Sequence, residues 1–311
     1  MLLSILIFEI AAVAFALDCP PRETVYPCSC AEEQGHAVVN CEGFNSMDEL
    51  EPVVKNTVGY KVTFAIFRSH LGDIRSDFFK GHSSVKLRFE NCIVRSFGDI
   101  PFSGLENSLE TLYLYTAIEK SHTEMDKFRL SRMKKLRYIT IANNDIEEVG
   151  NHWFEGGPAS LEQIVLSSNK IERIGEKAFA SLVNLQLLYL NDNKIKSVAR
   201  SMLPNPAKML WSLNAKSNEI EELPTDAFEG YPNLNTVNLS QNRLKSIPEN
   251  VWGKIWSQLQ AVYMDDNDVV CDENLKWIYK QQLPKIFVGK CGPGNALHDK
   301  DFNSLKLEDF Q

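Results

Sequence analysis

Apolar and polar residues alternate along most of the chain in one recurring phrase, stated most plainly by Leu161-Glu-Gln-Ile-Val-Leu-Ser-Ser-Asn-Lys-Ile171. As a pattern it is L-x-x-L-x-L-x-x-N-x-L. It restarts at Leu136, Leu161, Leu185, Leu210, Leu234 and Leu259, at intervals of 25, 24, 25, 24 and 25 residues. Inside it, pairs such as Ile164/Leu166, Leu188/Leu190 and Val237/Leu239 have the two-residue period of a strand that buries one face. The asparagine that follows (Asn144, Asn169, Asn193, Asn218, Asn242, Asn267) can bond the backbone groups left bare where the strand turns. A second apolar set closes each unit, as in Ile174/Phe179/Leu182 and Leu223/Phe228/Tyr231. Phe79, Phe154, Leu203 and Trp252 take the equivalent central point elsewhere. One such unit cannot bury its apolar side alone, whereas stacked copies share a continuous core. The pattern predicts an α/β solenoid with a parallel sheet on its concave side and a spine of rings beneath its convex side.

Two earlier units keep the phase with weaker residues. Phe64, Ile66, Leu71 and Ile74 fill the apolar slots of a unit starting near Lys61. Leu87, Phe89, Val94 and Phe97 fill those of a unit starting near Ser84, with Cys92 in the asparagine slot as a buried structural thiol. The unit starting at Leu109 departs from the rule. Ala117 stands in its asparagine slot and Glu119 in its next apolar slot, and phase returns only at Phe128 and Met133. The polar stretch 117–127 is a candidate binding loop, because irregular insertions on rigid scaffolds often carry function.

The ends differ from the middle. Residues 1–16 are apolar and finish in Ala14-Phe-Ala16, which reads as a secretory signal peptide cut before Leu17. The run is shorter than the ~20 residues a membrane span needs, and no later stretch is long enough. Cys19, Cys28, Cys30 and Cys41 follow. In a secreted chain four close cysteines form a disulfide framework, and their spacing leaves the three possible pairings open. Residues 17–60 are therefore expected to form a cysteine-rich lid over the first rung of the repeats, which run through 61–266. Beyond them Leu275, Trp277, Ile278 and Leu283 lie at helical spacing between Cys271 and Cys291. They predict a helix over 274–282, pinned by a Cys271–Cys291 bond, as a second lid spanning 267–298. A polar tail of mixed charge, 299–311, completes the chain.

Charge and chemistry narrow the function. The net charge of −8 argues against a nucleic-acid binder, which needs a basic footprint. The chain has no G-x-S-x-G elbow, no phosphate-cradling glycine loop and no H-E-x-x-H. Its six histidines are scattered without a pair at ligand spacing. Asp265-Asp266 offers too few carboxylates for a calcium site. No enzyme activity, cofactor or metal is expected. Asn238-Leu239-Ser240 is an N-glycosylation sequon whose asparagine points away from the core.

Residues between and beside the strand leucines face the concave side and are free of packing duty. Among them Arg88, Tyr113, Tyr115, Tyr138, Tyr189, Trp211 and Tyr263 are of the types enriched at binding hot spots. They are the candidate partner-binding residues.

This layout of signal peptide, cysteine-rich flank, repeats of about 24 residues and cysteine-bearing second flank resembles the extracellular leucine-rich-repeat family. The resemblance covers nearly the whole mature chain. It implies a curved horseshoe, disulfide-capped at both ends, with Cys19 bonded to Cys30 and Cys28 to Cys41. The family's second flank usually reads N-P-x-x-C-D-C…W and holds two disulfides. Here Asn267-Asp-Val-Val-Cys271-Asp-Glu273…Trp277 keeps one cysteine of that pair, which implies a one-disulfide cap. The phrases around Cys19 to Cys41 and Ser84 to Val94 are similar to secreted arthropod members akin to the non-catalytic subunit of a shrimp luciferin monooxygenase. That likeness implies an accessory role and no light-producing chemistry. The resulting expectation is a secreted, non-enzymatic protein that binds a protein partner through its concave face, alone or within a hetero-complex. The alternative is a matrix component or an accessory, non-catalytic subunit of a heteromeric extracellular complex.

Overall fold

The computed structural model describes residues 19–310 apart from 34, 99, 101, 120–124, 126, 127 and 295. The expected signal peptide and its cleavage point lie outside the described residues, as does most of the expected loop 117–127. Among the described residues, twelve strands form one sheet. Ser29–Glu33 runs antiparallel to His36–Glu42, and every later neighbour is parallel, from His36–Glu42 beside Val62–Phe67 to Ala261–Tyr263 beside Ile286–Val288. The register does not slip over the last eight rungs. Leu112, Ile139, Ile164, Leu188, Leu213, Val237, Val262 and Phe287 are successive partners, and all are buried. Most parallel sheets are covered on both faces. Here strands such as Thr111–Tyr115, Gln163–Val165, Leu187–Tyr189 and Thr236–Asn238 alternate buried and half-exposed positions, so one face stays open along much of the sheet. Hydrogen-bonded strands, ~4.8 Å apart, are the tightest part of each rung. The opposite wall is thickened by rings and turns, so the stack curves toward the strands.

Nine of the twelve strands, from Val62–Phe67 to Ala261–Tyr263, end in the same turn. Arg68, Asn91, Thr116, Asn143, Ser168, Asp192, Ser217, Gln241 and Asp266 all have φ between 44° and 57°, the left-handed region that short polar residues tolerate best after glycine. The next residue is the asparagine slot. Asn193 donates from Nδ2 to the carbonyls of Leu166 and Leu190 at 2.9 Å, and its Oδ1 accepts the Ile171 N–H at 3.0 Å. Asn218, Asn242 and Asn267 repeat that scheme one rung on. Where asparagine is missing, smaller groups do less. Ser69 Oγ donates to Phe67 O at 2.7 Å and accepts from Phe44 N at 3.1 Å. Cys92 Sγ reaches Ile66 O at 3.4 Å, and burial pushes its thiol up in pKa.

Rings fill the convex side. Phe79 and Phe102 are 6.4 Å apart, Phe97 and Phe128 5.1 Å, Phe128 and Trp153 4.9 Å, and Phe154 and Phe179 5.9 Å. The column resumes with Phe228 and Trp252 at 4.7 Å. Burying each ring stabilises by about 1.5–3 kcal/mol.

The N-terminal cap carries two disulfides, Cys19–Cys30 and Cys28–Cys41. It also holds a helix, Met47–Asn56, that the repeat pattern does not reveal. Ser46 caps it by accepting from Glu49 N, and Glu49 answers by accepting from Asn45 N, a reciprocal pair of the capping-box kind. Where this helix meets the first repeat, His82 is only 4% exposed. Its Nε2 lies 3.1 Å from Thr57 Oγ1 and its ring packs edge-on to Phe64. Burial pushes its pKa down to about 4 from an ordinary value near 6.5. The folded protein therefore binds fewer protons than the unfolded chain between those values. The contribution of neutral His82 is complete above pH 6.5 and is lost as pH falls toward 4, about 3 kcal/mol in all. Urea midpoints measured against pH should show this slope in the wild type and a shallower one in His82→Gln.

The C-terminal cap departs from expectation in two respects. Cys271–Cys291 closes it, but in place of one helix over 274–282 there are two 3-10 turns, Glu273–Leu275 and Ile278–Lys280. Trp277 explains the break, because its indole N–H is fixed to Ile247 O at 2.8 Å and its ring stands against Trp256. The stretch 299–311, expected as a polar tail, buries Phe302, Leu305 and Phe310. Phe302 stacks 5.1 Å from Phe287, whose strand, Ile286–Val288, is the last of the long sheet.

Candidate partner-binding face

The open face of the sheet carries the candidates, and the register decides which of them meet. Ala65, Arg88 and Tyr113 form one row of adjacent positions, and Phe67, Glu90 and Tyr115 the next. The Arg88 guanidinium lies 5.4 Å from the Phe67 ring and 5.3 Å from the Tyr113 ring. Its Nε donates to Glu90 Oε2 at 2.9 Å. Tyr113 and Tyr115 stack at 6.0 Å with planes 15° apart. Burial first, and then the Glu90 carboxylate, push the Tyr113 hydroxyl above its ordinary pKa, while Arg88 opposes the shift. The hydroxyl thus stays protonated as a donor. Each of these side chains is held by the others before any partner arrives, which lowers the ordering cost of association.

Tyr138 opens a second, smaller group. Arg137 sits 5.2 Å over its ring and forms two 2.9 Å hydrogen bonds with Glu162, whose Oε2 is 3.5 Å from the Tyr138 hydroxyl. The remaining candidates stand apart. Tyr189 is flanked by Val165 and Asn214, and Tyr263 by Asn238 and Val288. Trp211, 40% exposed, precedes its strand, Ser212–Asn214, and so stands at the leading edge of the sheet. Ala65, between Phe64 and Ile66 and so on the open face by strand period, is covered, with Asn40 and Arg88 beside it in register. The ion-pair partners Glu90, Arg137 and Glu162 are absent from the sequence-based candidates. The strand period puts Glu90 on the same face as Arg88, two residues away, so its role was legible. Arg137 and Glu162 fall before their strands and carry no such signal.

Among the described residues no three His, Cys, Asp or Glu side chains gather where a metal could sit. No helix there is long and apolar enough to cross a membrane. Asp265, two residues past the strand Ala261–Tyr263, is raised in pKa by burial and by Asp266.

Phased rungs, an asparagine ladder and a cystine at either end define the class. The chain folds as a leucine-rich-repeat solenoid, capped by disulfides at both ends. The family model described as leucine rich repeat matches residues 134–195 and 209–269. Keratocan of Mus musculus is 34% identical over 110 residues, which are 35% of this chain and 29% of keratocan, so the match spans under a third of that relative's length. The Oplophorus-luciferin 2-monooxygenase non-catalytic subunit of Oplophorus gracilirostris is 21% identical over 199 residues, 62% of this chain and 54% of the subunit. Among solved structures, a chain of the octameric complex of Latrophilin 3 (Lec, Olf), Unc5D (Ig, Ig2, TSP1) and FLRT2 (LRR) superposes with a TM-score of 0.63 at 16% identity. It covers 91% of this chain and 97% of that one. That likeness shows the fold alone.

Proposed function

We propose that this is a secreted, non-catalytic binding protein that holds a protein partner on its concave face, with Arg88, Tyr113 and Tyr115 as the anchor and Tyr138 at its margin. The observation that carries this reading is the pre-packed group of Phe67, Arg88, Glu90, Tyr113 and Tyr115 on a rigid sheet. Arginine and tyrosine in such a setting are the residues whose truncation most often costs affinity. Three cystines are in keeping with an oxidising, extracellular compartment. The juxtaposition of His82 with the Thr57 and Ser84 hydroxyls is sealed in the core, which supports a binder over a hydrolase.

The test is capture from the native extracellular fluid on immobilised protein, with the retained partner identified and titrated. The folded triple variant Arg88→Ala, Tyr113→Ala, Tyr115→Ala is expected to weaken that partner by at least roughly a hundredfold, since hot-spot truncations cost about 2 kcal/mol or more each and partly overlap. Tyr189→Ala, Trp211→Ala, Tyr263→Ala should leave capture within about threefold, because those side chains do not form one group. Undiminished capture by the first variant would reject the assignment.

The second reading, an accessory subunit of a heteromeric complex, draws on the match to 62% of this chain by a protein whose name is that of a non-catalytic subunit. The solution mass of material purified from its source separates the two, since a lone monomer sinks the subunit reading.

A further inference from the structure

The open face is not uniform in charge. From Thr111 to Ile286 the first column of this face reads Thr111, Tyr138, Gln163, Leu187, Ser212, Thr236, Ala261, Ile286, of which Ser212 and Ala261 are covered. The second column reads Tyr113, Thr140, Val165, Tyr189, Asn214, Asn238, Tyr263, Val288 across the same strands. None of the sixteen positions in these two columns is charged, in a chain that is 24% charged overall. Near the far end of this neutral band stands Asn238, half-exposed, at the head of the chain's N-x-S sequon.

Asn238 differs from the ladder asparagines. Those spend Nδ2 on the carbonyls of two rungs. In Asn238 only Oδ1 is engaged, accepting the Ser240 N–H at 3.0 Å, and Nδ2 donates no hydrogen bond among the described residues. The free nitrogen faces the open side, with the Tyr263 ring one strand away and in register.

We propose that Asn238 carries an N-linked glycan whose first sugars lie on the neutral band, against Tyr263 and between Asn214 and Thr236. The reaction joins Nδ2 to the anomeric carbon of a lipid-pyrophosphate-linked oligosaccharide. The anomeric C–O bond breaks, the pyrophosphate leaves with its electron pair, and the amide proton passes to a base. Ser240 is only 5% exposed in the folded chain, so the transferase must act before this rung stacks on its neighbours. A polar, uncharged surface with an aromatic platform suits a neutral sugar, which hydrogen-bonds amides and hydroxyls and lays its C–H face on a ring. The glycan covers the far half of the concave face and leaves the Arg88–Tyr113–Tyr115 end free. The glycan itself does not rest on the binding role proposed for that end.

The experiment uses the full chain secreted from a eukaryotic host. Intact mass should show one glycan on the wild type, removed by a peptide-amidase that leaves Asp at 238. It should be absent from Asn238→Gln and, independently, from Ser240→Ala. Because the linkage sits on the folded sheet, the amidase should act at least roughly tenfold faster once the protein is unfolded, as for any reaction that needs local opening. Wild-type protein secreted at its bare peptide mass overturns the site. Equal amidase rates on folded and unfolded protein overturn the placement of the sugars on the sheet. If Ser240→Ala is not secreted, Asn238→Gln alone decides the site.

Discussion

Asn144→Ala is expected to lower the free energy of unfolding by about 4 kcal/mol, roughly twice the loss for the equivalent change at Asn218. The reason is a vacancy one rung away. Ala117 occupies the asparagine slot of the preceding unit and offers no acceptor. Asn144 Oδ1 therefore takes both the Ala117 and the Ile118 N–H, at 2.8 and 2.9 Å, while its Nδ2 bonds Leu114 O and Ala142 O. Asn144 is 7% exposed, so alanine there strands two buried donors that water cannot reach, at about 1–3 kcal/mol each. At Asn218 the corresponding change strands a single donor, Ile195 N. The three carbonyls that lose Asn218 each keep another partner. Urea unfolding of the two variants checks the ratio. Equal losses would mean that the second donor held by Asn144 adds nothing to stability.

Phe302→Ala is expected to cost about 3–5 kcal/mol, as large as any single truncation in a repeat core. Phe302 is fully buried, stacks on Phe287 and bonds through its backbone N–H to Gly289 O at 3.0 Å. Its carbonyl accepts the Tyr279 hydroxyl at 3.0 Å. Gly289 cannot become larger without a clash, since an added Cβ would lie 2.5 Å from the Phe302 ring. Residues 299–310 are thus the outer wall of the C-terminal cap, and chemical denaturation of the variant, or of a chain ending at residue 298, should show the loss. A variant as stable as the wild type would return this stretch to the status of a tail.

These two cases mark how far the sequence could be read. The rungs were legible because nature repeated them. Leu161, Ile164, Leu166 and Asn169 mean little once and a great deal six times. The asparagine slots followed from the same phase, and so did the ring column. The wall around Phe302 was not legible, because Phe302, Leu305 and Phe310 belong to no repeat and stand among Asp299, Lys300, Asp301, Lys306, Glu308 and Asp309. Four apolar residues, Leu307 included, among six charges read as exposed chain until a partner surface, here Phe287 and Tyr279, is placed beneath Phe302 and Phe310. The open face was legible as a set of positions but not as contacts. Strand period puts Arg88, Tyr113 and Tyr115 outward, yet only the register of neighbouring strands shows that they touch while Tyr189 and Tyr263 do not.

The ring column breaks once. Between Phe179 and Phe228 the central point is held by Leu203, and among the described residues no ring pair bridges the gap. Cohesion in a stacked array is a sum of nearest-neighbour terms. An aliphatic link in an otherwise aromatic chain is therefore the lightest seam, and a load applied to the two ends is relieved there first. The molecule then parts into two blocks, each still stapled by its own cystines.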